Sequence, residues 1–144
     1  MLSHDDARRV LASMIPQTAL IDCHVETTAN VERLIMRSRD DSGRTAAVSR
    51  ADFTQYTLRL DGEFSRSHVD EDLTDEEAVA ELAELVAIGQ SYILTGAELR
   101  ASRWLREPYK AIRVGQDEIL VYRGTWDHLR ESIARRFGTG RDVG

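Results

Sequence analysis

Apolar and polar positions along the chain follow two periods, one typical of strands and one typical of helices. Through residues 19–26 apolar residues alternate with Asp22, His24 and Glu26, which predicts a half-buried strand. Similar patterns predict further strands over 31–39, 45–50 and 56–60 and from Phe64 onward, with a tight hairpin at Asp61-Gly62. A later hairpin is predicted from residues 109–114 and 118–123.

The longest helix is predicted over residues 75–95. Thr74 followed by Glu77 has the spacing of a capping box, and Gly96 is a natural C-terminal stop. Between these ends, one continuous apolar stripe recurs at three- and four-residue spacing, which predicts that this face is buried. Its members are Ala78, Val79, Leu82, Leu85, Val86, Gly89, Tyr92 and Ile93.

Two shorter helices are predicted near the ends of the chain. The first runs from Asp5 to Ile15 with Ser3 as N-cap, and the last follows Thr125. Residues 97–107 are compatible with either helix or strand. The order α-β-β-(β)-β-β-α-β-β-α predicts a single α+β domain over residues 1–144, an antiparallel sheet with helices packed on it.

Composition narrows the class of protein. An apolar content of 42% and a charged content of 31% favour a folded chain over a disordered one. The single cysteine, Cys23, excludes an internal disulfide and suits a reducing interior. With no signal peptide or apolar run of about 20 residues, we expect a cytoplasmic protein with no membrane partner. Eighteen arginines against one lysine favour a bacterium with GC-rich codons.

Negative charge is concentrated in the middle of the chain. Residues 63–96 contain nine acidic residues and Arg66 as their one base, whereas residues 97–144 contain seven acidic and ten basic residues. The middle segment therefore carries more than the whole net charge of −6. A negative field of this size repels nucleic acid and attracts basic partners, so direct nucleic-acid binding is not expected.

Part of this acidic segment is ordinary helix-start chemistry, and the remainder has three interpretations. It can be a solvated face that keeps the protein soluble, or a face neutralised by Arg100, Arg103 and Arg106. It can also be a docking surface for a basic protein partner. The candidate partner-binding residues are Asp70, Glu71, Asp72, Asp75, Glu77, Glu81 and Glu84.

No catalytic or cofactor motif occurs in the sequence. Asp22, His24 and Glu26 share one strand face and could form an acid–base or metal cluster, but no other histidine has a characteristic spacing to them. A solvent-facing strand edge explains the pattern more simply. The stretch DEDLTDEE lacks the central glycine and the closing glutamate of a calcium loop. We therefore predict no metal, no cofactor and no enzymatic activity.

The acidic helix followed by a hairpin gives one resemblance to known proteins. From DEDLTDEEAVAELAELVAIGQSYILTG through WLREPYKAIRVGQDEILVY, about half of the chain resembles small actinobacterial immunity proteins of polymorphic toxin systems. That resemblance implies a cytoplasmic protein that neutralises a cognate toxin by direct occlusion. The layout is also similar to that of small acidic secretion chaperones, which bind a client segment. An enzyme with an unrecognised pocket around Asp22 and His24 is the third alternative, and the oligomeric state stays open.

Overall fold

The computed structural model describes residues 1–101 and 108–123 as an eight-stranded antiparallel sheet packed against two helices. The α+β prediction is therefore confirmed. The helices are α1 (His4–Ser13) and α2 (Asp75–Thr95). The strands are β1 (Ile21–Thr28), β2 (Val31–Ser38), β3 (Thr45–Ala51), β4 (Gln55–Leu60), β5 (Phe64–Val69), β6 (Glu98–Ala101), β7 (Pro108–Val114) and β8 (Asp117–Arg123).

The sheet consists of two meanders placed side by side. Its strand order is β1-β2-β3-β4-β5-β8-β7-β6, so that the second meander joins the first through its last strand. The edge strand β6 lies within residues 97–107, which the sequence left as either helix or strand. The strand predicted over residues 45–50 is confirmed as β3. The predicted last helix after Thr125 lies outside the described residues.

Helix α2 has the predicted bounds because local signals define both of its ends. The Thr74 hydroxyl accepts the Glu77 N–H, the Glu77 carboxylate accepts the Thr74 N–H, and Gly96 adopts a positive φ at the C-terminus. The predicted stripe is buried apart from Val79, which is half-buried, and Ile88 joins it. Gly89 lets the helix lie close to the sheet, because a Cβ there would meet Met36 Cε at 2.6 Å.

The other predicted bounds shift by a few residues. Helix α1 begins at His4 after the N-cap Ser3 and ends at Ser13, not at Ile15. Strand β1 begins at Ile21, because Ala19 lies in an exposed turn before it. Strand β2 ends at Ser38, since the Ser38 N–H bonds to Arg44 O at the start of the turn into β3.

Strand alternation divides the sheet into two faces. One face, represented by Leu34, Met36 and Leu58, is fully buried beneath the helices. Helix α1 packs on β1 and β2, and α2 packs on β2, β3, β4 and β7. Among the described residues α2 alone is long and apolar enough to cross a membrane, with a mean hydropathy of 1.2. The core helix of a soluble protein can have the same length and composition.

A buried ion pair interrupts the apolar core, and the strand periodicity did not predict it. Glu32 and Arg50 are 1% and 0% exposed. Arg50 Nε donates to Glu32 Oε2 at 3.2 Å, and Nη1 donates to the carbonyl oxygen of Leu2 at 2.7 Å. The ring of His4 contacts Glu32 Oε1. These contacts attach the start of the chain, and hence α1, to strands β2 and β3.

A second polar cluster links α2 to the sheet. The predicted Asp61-Gly62 hairpin is confirmed, with φ values of 53° and 73°. Its Asp61 carboxylate accepts a hydrogen bond from Lys110 Nζ at 2.7 Å and another from the Tyr92 hydroxyl. Burial alone would raise the pKa of Asp61, but these hydrogen bonds outweigh it and hold the pKa below the ordinary value.

Truncation of the buried stripe of α2 should destabilise the protein. Leu82 and Leu85 are 0% and 3% exposed, so Leu82→Ala and Leu85→Ala are each expected to cost about 2–5 kcal/mol in denaturant unfolding. Leu99→Ala is the matched control, because Leu99 is 64% exposed and its loss should cost about 0.5 kcal/mol or less. Equal unfolding midpoints for the three variants would contradict the assigned face.

The buried ion pair should show strong coupling. Arg50→Met leaves Glu32 buried without its main partner and is expected to cost about 3–5 kcal/mol. The double variant Arg50→Met/Glu32→Leu leaves no buried charge and should be more stable than Arg50→Met alone. Urea unfolding of both single variants and the double variant measures the coupling, and strictly additive losses would show that the pair does not act as a unit.

Candidate functional site

The seven predicted partner-binding residues lie close together along the chain, in one loop and in the helix that follows it. Asp70, Glu71 and Asp72 form the loop between β5 and α2, and the other four lie on the first three turns of α2. Asp70 and Glu81 are half-buried, whereas Glu71, Asp72, Asp75, Glu77 and Glu84 are exposed. The structure therefore leaves most of this set accessible to a partner.

Some of these carboxylates already have roles within the fold. Glu77 completes the capping box, Asp75 lies 3.2 Å from the α-amino group of Met1, and Asp70 lies 3.6 Å from the His68 ring. By contrast, the side chains of Glu71, Glu81 and Glu84 form no ion pair or hydrogen bond with another described residue. These three carboxylates are therefore without a direct partner among the described residues.

Arg100 does not neutralise this surface. Its guanidinium donates to both carboxylate oxygens of Glu118, at 2.6 and 2.9 Å, and to Glu98 at 3.0 Å. These hydrogen bonds raise the pKa of Arg100 and lower those of its two partners. The interpretation that Arg100 neutralises the acidic helix is wrong, because these hydrogen bonds hold Arg100 to Glu98 on the edge strand β6 and to Glu118 on β8. Arg103 and Arg106 lie outside the described residues.

A small cleft of about 160 Å³ separates α2 from β5. Arg66, Ser67 and His68 line its strand side, and Glu81, Glu84 and Leu85 line its helix side. Burial is the main cause that raises the pKa of Glu81, and the nearby His68 lowers it in part. Glu81 is thus a desolvated carboxylate without a direct ion pair among the described residues.

The exposed top of α2 carries alanines where a solvated helix would carry polar residues. Ala80, Ala83 and Ala87 are all exposed and fall on one line at three- and four-residue spacing, and Leu94, 39% exposed, continues it. We call these four residues the alanine crest. It borders the carboxylate row, which is Glu77, Glu81 and Glu84. The same spacing is visible in the sequence, but the apolar stripe on the opposite side of the helix is the pattern that predicts a buried face.

The possible acid–base cluster on β1 lies open on the surface of the described residues. His24 Nε2 lies 3.0 Å from Glu26 Oε1, and Asp22 lies 3.6 Å from Arg39. All three cluster residues are exposed on an edge strand. Within residues 1–101 and 108–123, no group of three or more histidine, cysteine or acidic side chains is arranged to hold a metal ion.

Comparisons with known proteins add no relative to this description. No protein-family model, no curated protein and no solved structure matches the chain. The fold and the surface of α2 therefore supply the observations for a functional proposal.

Desolvation of Glu81 makes a pH-dependent prediction. Because its pKa is raised in the folded state, the folded protein binds this proton more tightly, and stability falls as pH rises through the unfolded and then the folded pKa. Glu81→Gln removes that penalty together with repulsion from its neighbours. We expect Glu81→Gln to stabilise the protein by about 0.2–0.5 kcal/mol at neutral pH, with the gain lost below the ordinary glutamate pKa of 4.5.

Denaturation midpoints measured across this pH range test the prediction. Glu71→Gln is the control, because Glu71 is exposed in the preceding loop and should give no such pH-dependent gain. A Glu81→Gln variant whose stability difference does not change with pH would show that Glu81 is fully solvated.

Proposed function

We propose that this protein is a cytoplasmic protein-binding module that takes a basic partner on the surface of α2. The alanine crest is the observation that carries the proposal. A face that serves only solubility is expected to be polar across its whole exposed width. Here an apolar strip lies beside a row of carboxylates, so a basic partner could contact apolar atoms and negative charges on one surface of the helix.

The carboxylates and the crest have different roles in this proposal. The carboxylate row and the loop acids Glu71 and Asp72 attract a basic surface and raise its rate of encounter. The small side chains of the crest then allow close approach of the partner. Glu81, already desolvated in its cleft, loses less hydration on complex formation than an exposed carboxylate would, so it is suited to bind an incoming arginine or lysine.

The form of this function that we propose is immunity. The stretch that resembles actinobacterial immunity proteins includes the whole of α2 and the β7–β8 hairpin, and such a protein would neutralise its cognate toxin by covering the toxin's site directly. If that toxin is a nuclease, carboxylates placed like phosphates would occupy its basic cleft. The expected partner is therefore a basic toxin domain.

A secretion chaperone is the second candidate, and the sheet edges favour it. Strand β1 is an eight-residue edge strand, and an extended client segment can add to such an edge by backbone hydrogen bonding. An enzyme centred on Asp22 and His24 has less support, because those side chains are exposed on an edge strand. Copurification from the native host followed by mass spectrometry separates the three: a basic toxin domain, a secreted client, or no partner.

The docking proposal predicts separate effects on association and dissociation. With the copurified partner, Glu81→Gln/Glu84→Gln should slow association and flatten its salt dependence, since exposed charges act mainly on encounter. Ala83→Gln keeps the net charge but places a longer side chain on the alanine crest, which prevents close approach of the partner. This variant should therefore weaken binding by about tenfold or more, mainly through faster dissociation.

Matched controls keep this experiment specific. Ala12→Gln makes the same substitution at an exposed position of α1, and His24→Ala alters the edge strand β1. If the partner binds on α2, both variants should bind it like wild type. Wild-type binding by Ala83→Gln, together with unchanged salt curves for the double glutamine variant, would refute docking on α2. Loss of binding in His24→Ala alone would place the contact on β1.

A further inference from the structure

The second face of the sheet, opposite the helices, carries a group of arginines that the fold does not use. Arg33 and Arg37 on β2 and Arg59 on β4 alternate with side chains that are fully buried beneath the helices. Arg37 and Arg59 are exposed and Arg33 is half-exposed. None of the three side chains forms an ion pair or hydrogen bond with another described residue. We call this surface the arginine face.

The register of the strands shows how these arginines are arranged. Arg33 and Arg37 are four residues apart on one strand, about 13 Å. Arg59 lies two strands away, about 10 Å, in the same cross-strand row as Ile35 and Ala47. Between them on the same face lie Ile35 on β2 and four smaller side chains, namely Thr45, Ala47, Ser49 and Thr57. The arginine face is therefore a surface of one isoleucine and mostly small side chains, bordered by three guanidinium groups.

The acids nearest to these arginines are already engaged. Asp22 and Glu26 lie directly opposite Arg37 and Arg33 in the register of β1 and β2. However, Asp22 pairs with Arg39 at 3.6 Å, and Glu26 contacts His24 at 3.0 Å. The guanidinium donors of the arginine face consequently remain available for an anionic surface.

Helix α2 of the same chain has the complementary surface. Glu77 and Glu84, at the two ends of the carboxylate row, are seven residues apart, or about 10 Å along a helix. This span matches the spacing of the arginines across the sheet. The alanine crest beside the row carries small side chains at Ala80, Ala83 and Ala87, so a helix could lie on the sheet at close to the usual layer distance of about 10 Å.

We propose that the arginine face binds α2 of a second copy of this chain, with the carboxylate row against Arg33, Arg37 and Arg59. Because α2 and the arginine face lie on opposite sides of the sheet, the contact is heterologous, and each bound copy leaves one of each surface unoccupied. Such a contact extends into open-ended chains unless its rotation closes a ring. It uses the same surface of α2 as the proposed function, so a basic partner and a second copy would exclude one another.

The size of the contact sets its strength. The part of the sheet formed by β1 to β5 measures about 24 by 20 Å, or roughly 480 Å². A stable interface buries about 800 Å² on each partner. The expected association is therefore weak, with a dissociation constant on the order of micromolar to hundreds of micromolar, and it depends strongly on salt.

Sedimentation velocity of purified full-length protein tests the proposal. Wild type at about 200 µM should form dimers and larger species at about 50 mM salt and return to monomer at about 500 mM. Arg33→Gln/Arg37→Gln/Arg59→Gln and Glu77→Gln/Glu81→Gln/Glu84→Gln should each stay monomeric. The second variant separates specific pairing from net charge, because its charge falls in size from −6 to −3 and general repulsion alone would predict more association.

Mixing the two variants gives the decisive measurement. The arginine variant retains only the carboxylate row, and the glutamate variant retains only the arginine face. An equimolar mixture should therefore form a 1:1 dimer and no larger species. Arg8→Gln/Arg9→Gln/Arg123→Gln, which has the same net charge as the arginine-face variant, should still associate. Circular dichroism confirms that each variant is folded.

Three results would overturn the proposal. They are a monomeric wild type at low salt, a mixture that forms no dimer, and an arginine-face variant that associates like wild type. If monomeric wild type instead retains poly-glutamate or a single-stranded oligonucleotide through Arg33, Arg37 and Arg59, the occupant is another acidic polypeptide or a nucleic acid. A monomeric wild type that still captures a basic partner leaves the proposed function standing and removes only self-association.

Discussion

Burial of the apolar side of α2 is the interaction on which the rest of the structure depends. Among the described residues the two meanders share a short seam, since β5 and β8 pair at Phe64 with Arg123 and at Ser65 with Tyr122. Helix α2 packs across both meanders, against β2, β3 and β4 on one side and β7 on the other. Apolar burial by this helix therefore does much to hold the two meanders together, because the ladder between β5 and β8 is short.

The polar cluster around Lys110 reinforces the same junction. Lys110 belongs to β7, Asp61 to the β4–β5 hairpin and Tyr92 to α2, so one set of hydrogen bonds joins the helix to both meanders. Lys110 Nζ also lies 4.5 Å from the centre of the Tyr92 ring. Hydrogen bonding outweighs burial and raises the pKa of Lys110. The cluster thus holds its lysine in the charged form, which suits a structural ion pair more than a nucleophile or a base.

Packing of α2 also determines which surfaces remain for partners. Once its apolar stripe is buried, the alanine crest and the carboxylate row are fixed on the outside, and the arginine face is fixed on the far side of the sheet. The net charge of −6 conceals this separation of the carboxylate row from the arginine face. Under the two proposals above, a basic partner would meet the first surface and an acidic one the second.

The sequence alone determined the local elements and the fold class. Capping signals around Thr74 and Gly96 and the three- and four-residue stripe defined α2 completely, because helix ends and helix faces depend on residues close in the chain. Period-two alternation located the strands to within a few residues. The seven acidic candidates are likewise neighbours in sequence, so their grouping in the β5–α2 loop and the start of α2 followed directly from the predicted helix.

Only the tertiary structure decided which distant residues meet. Glu32 and Arg50 occupy positions whose alternation predicts burial, but their pairing depends on the register of β2 against β3 and on the docked start of α1. Arg100 could have approached the acidic helix, and strand pairing turned it to Glu118 instead. The arginine face exists only because Arg59 reaches the row of Ile35 across an intervening strand. Contacts of this kind depend on strand order and register, which side-chain periodicity along one segment does not encode.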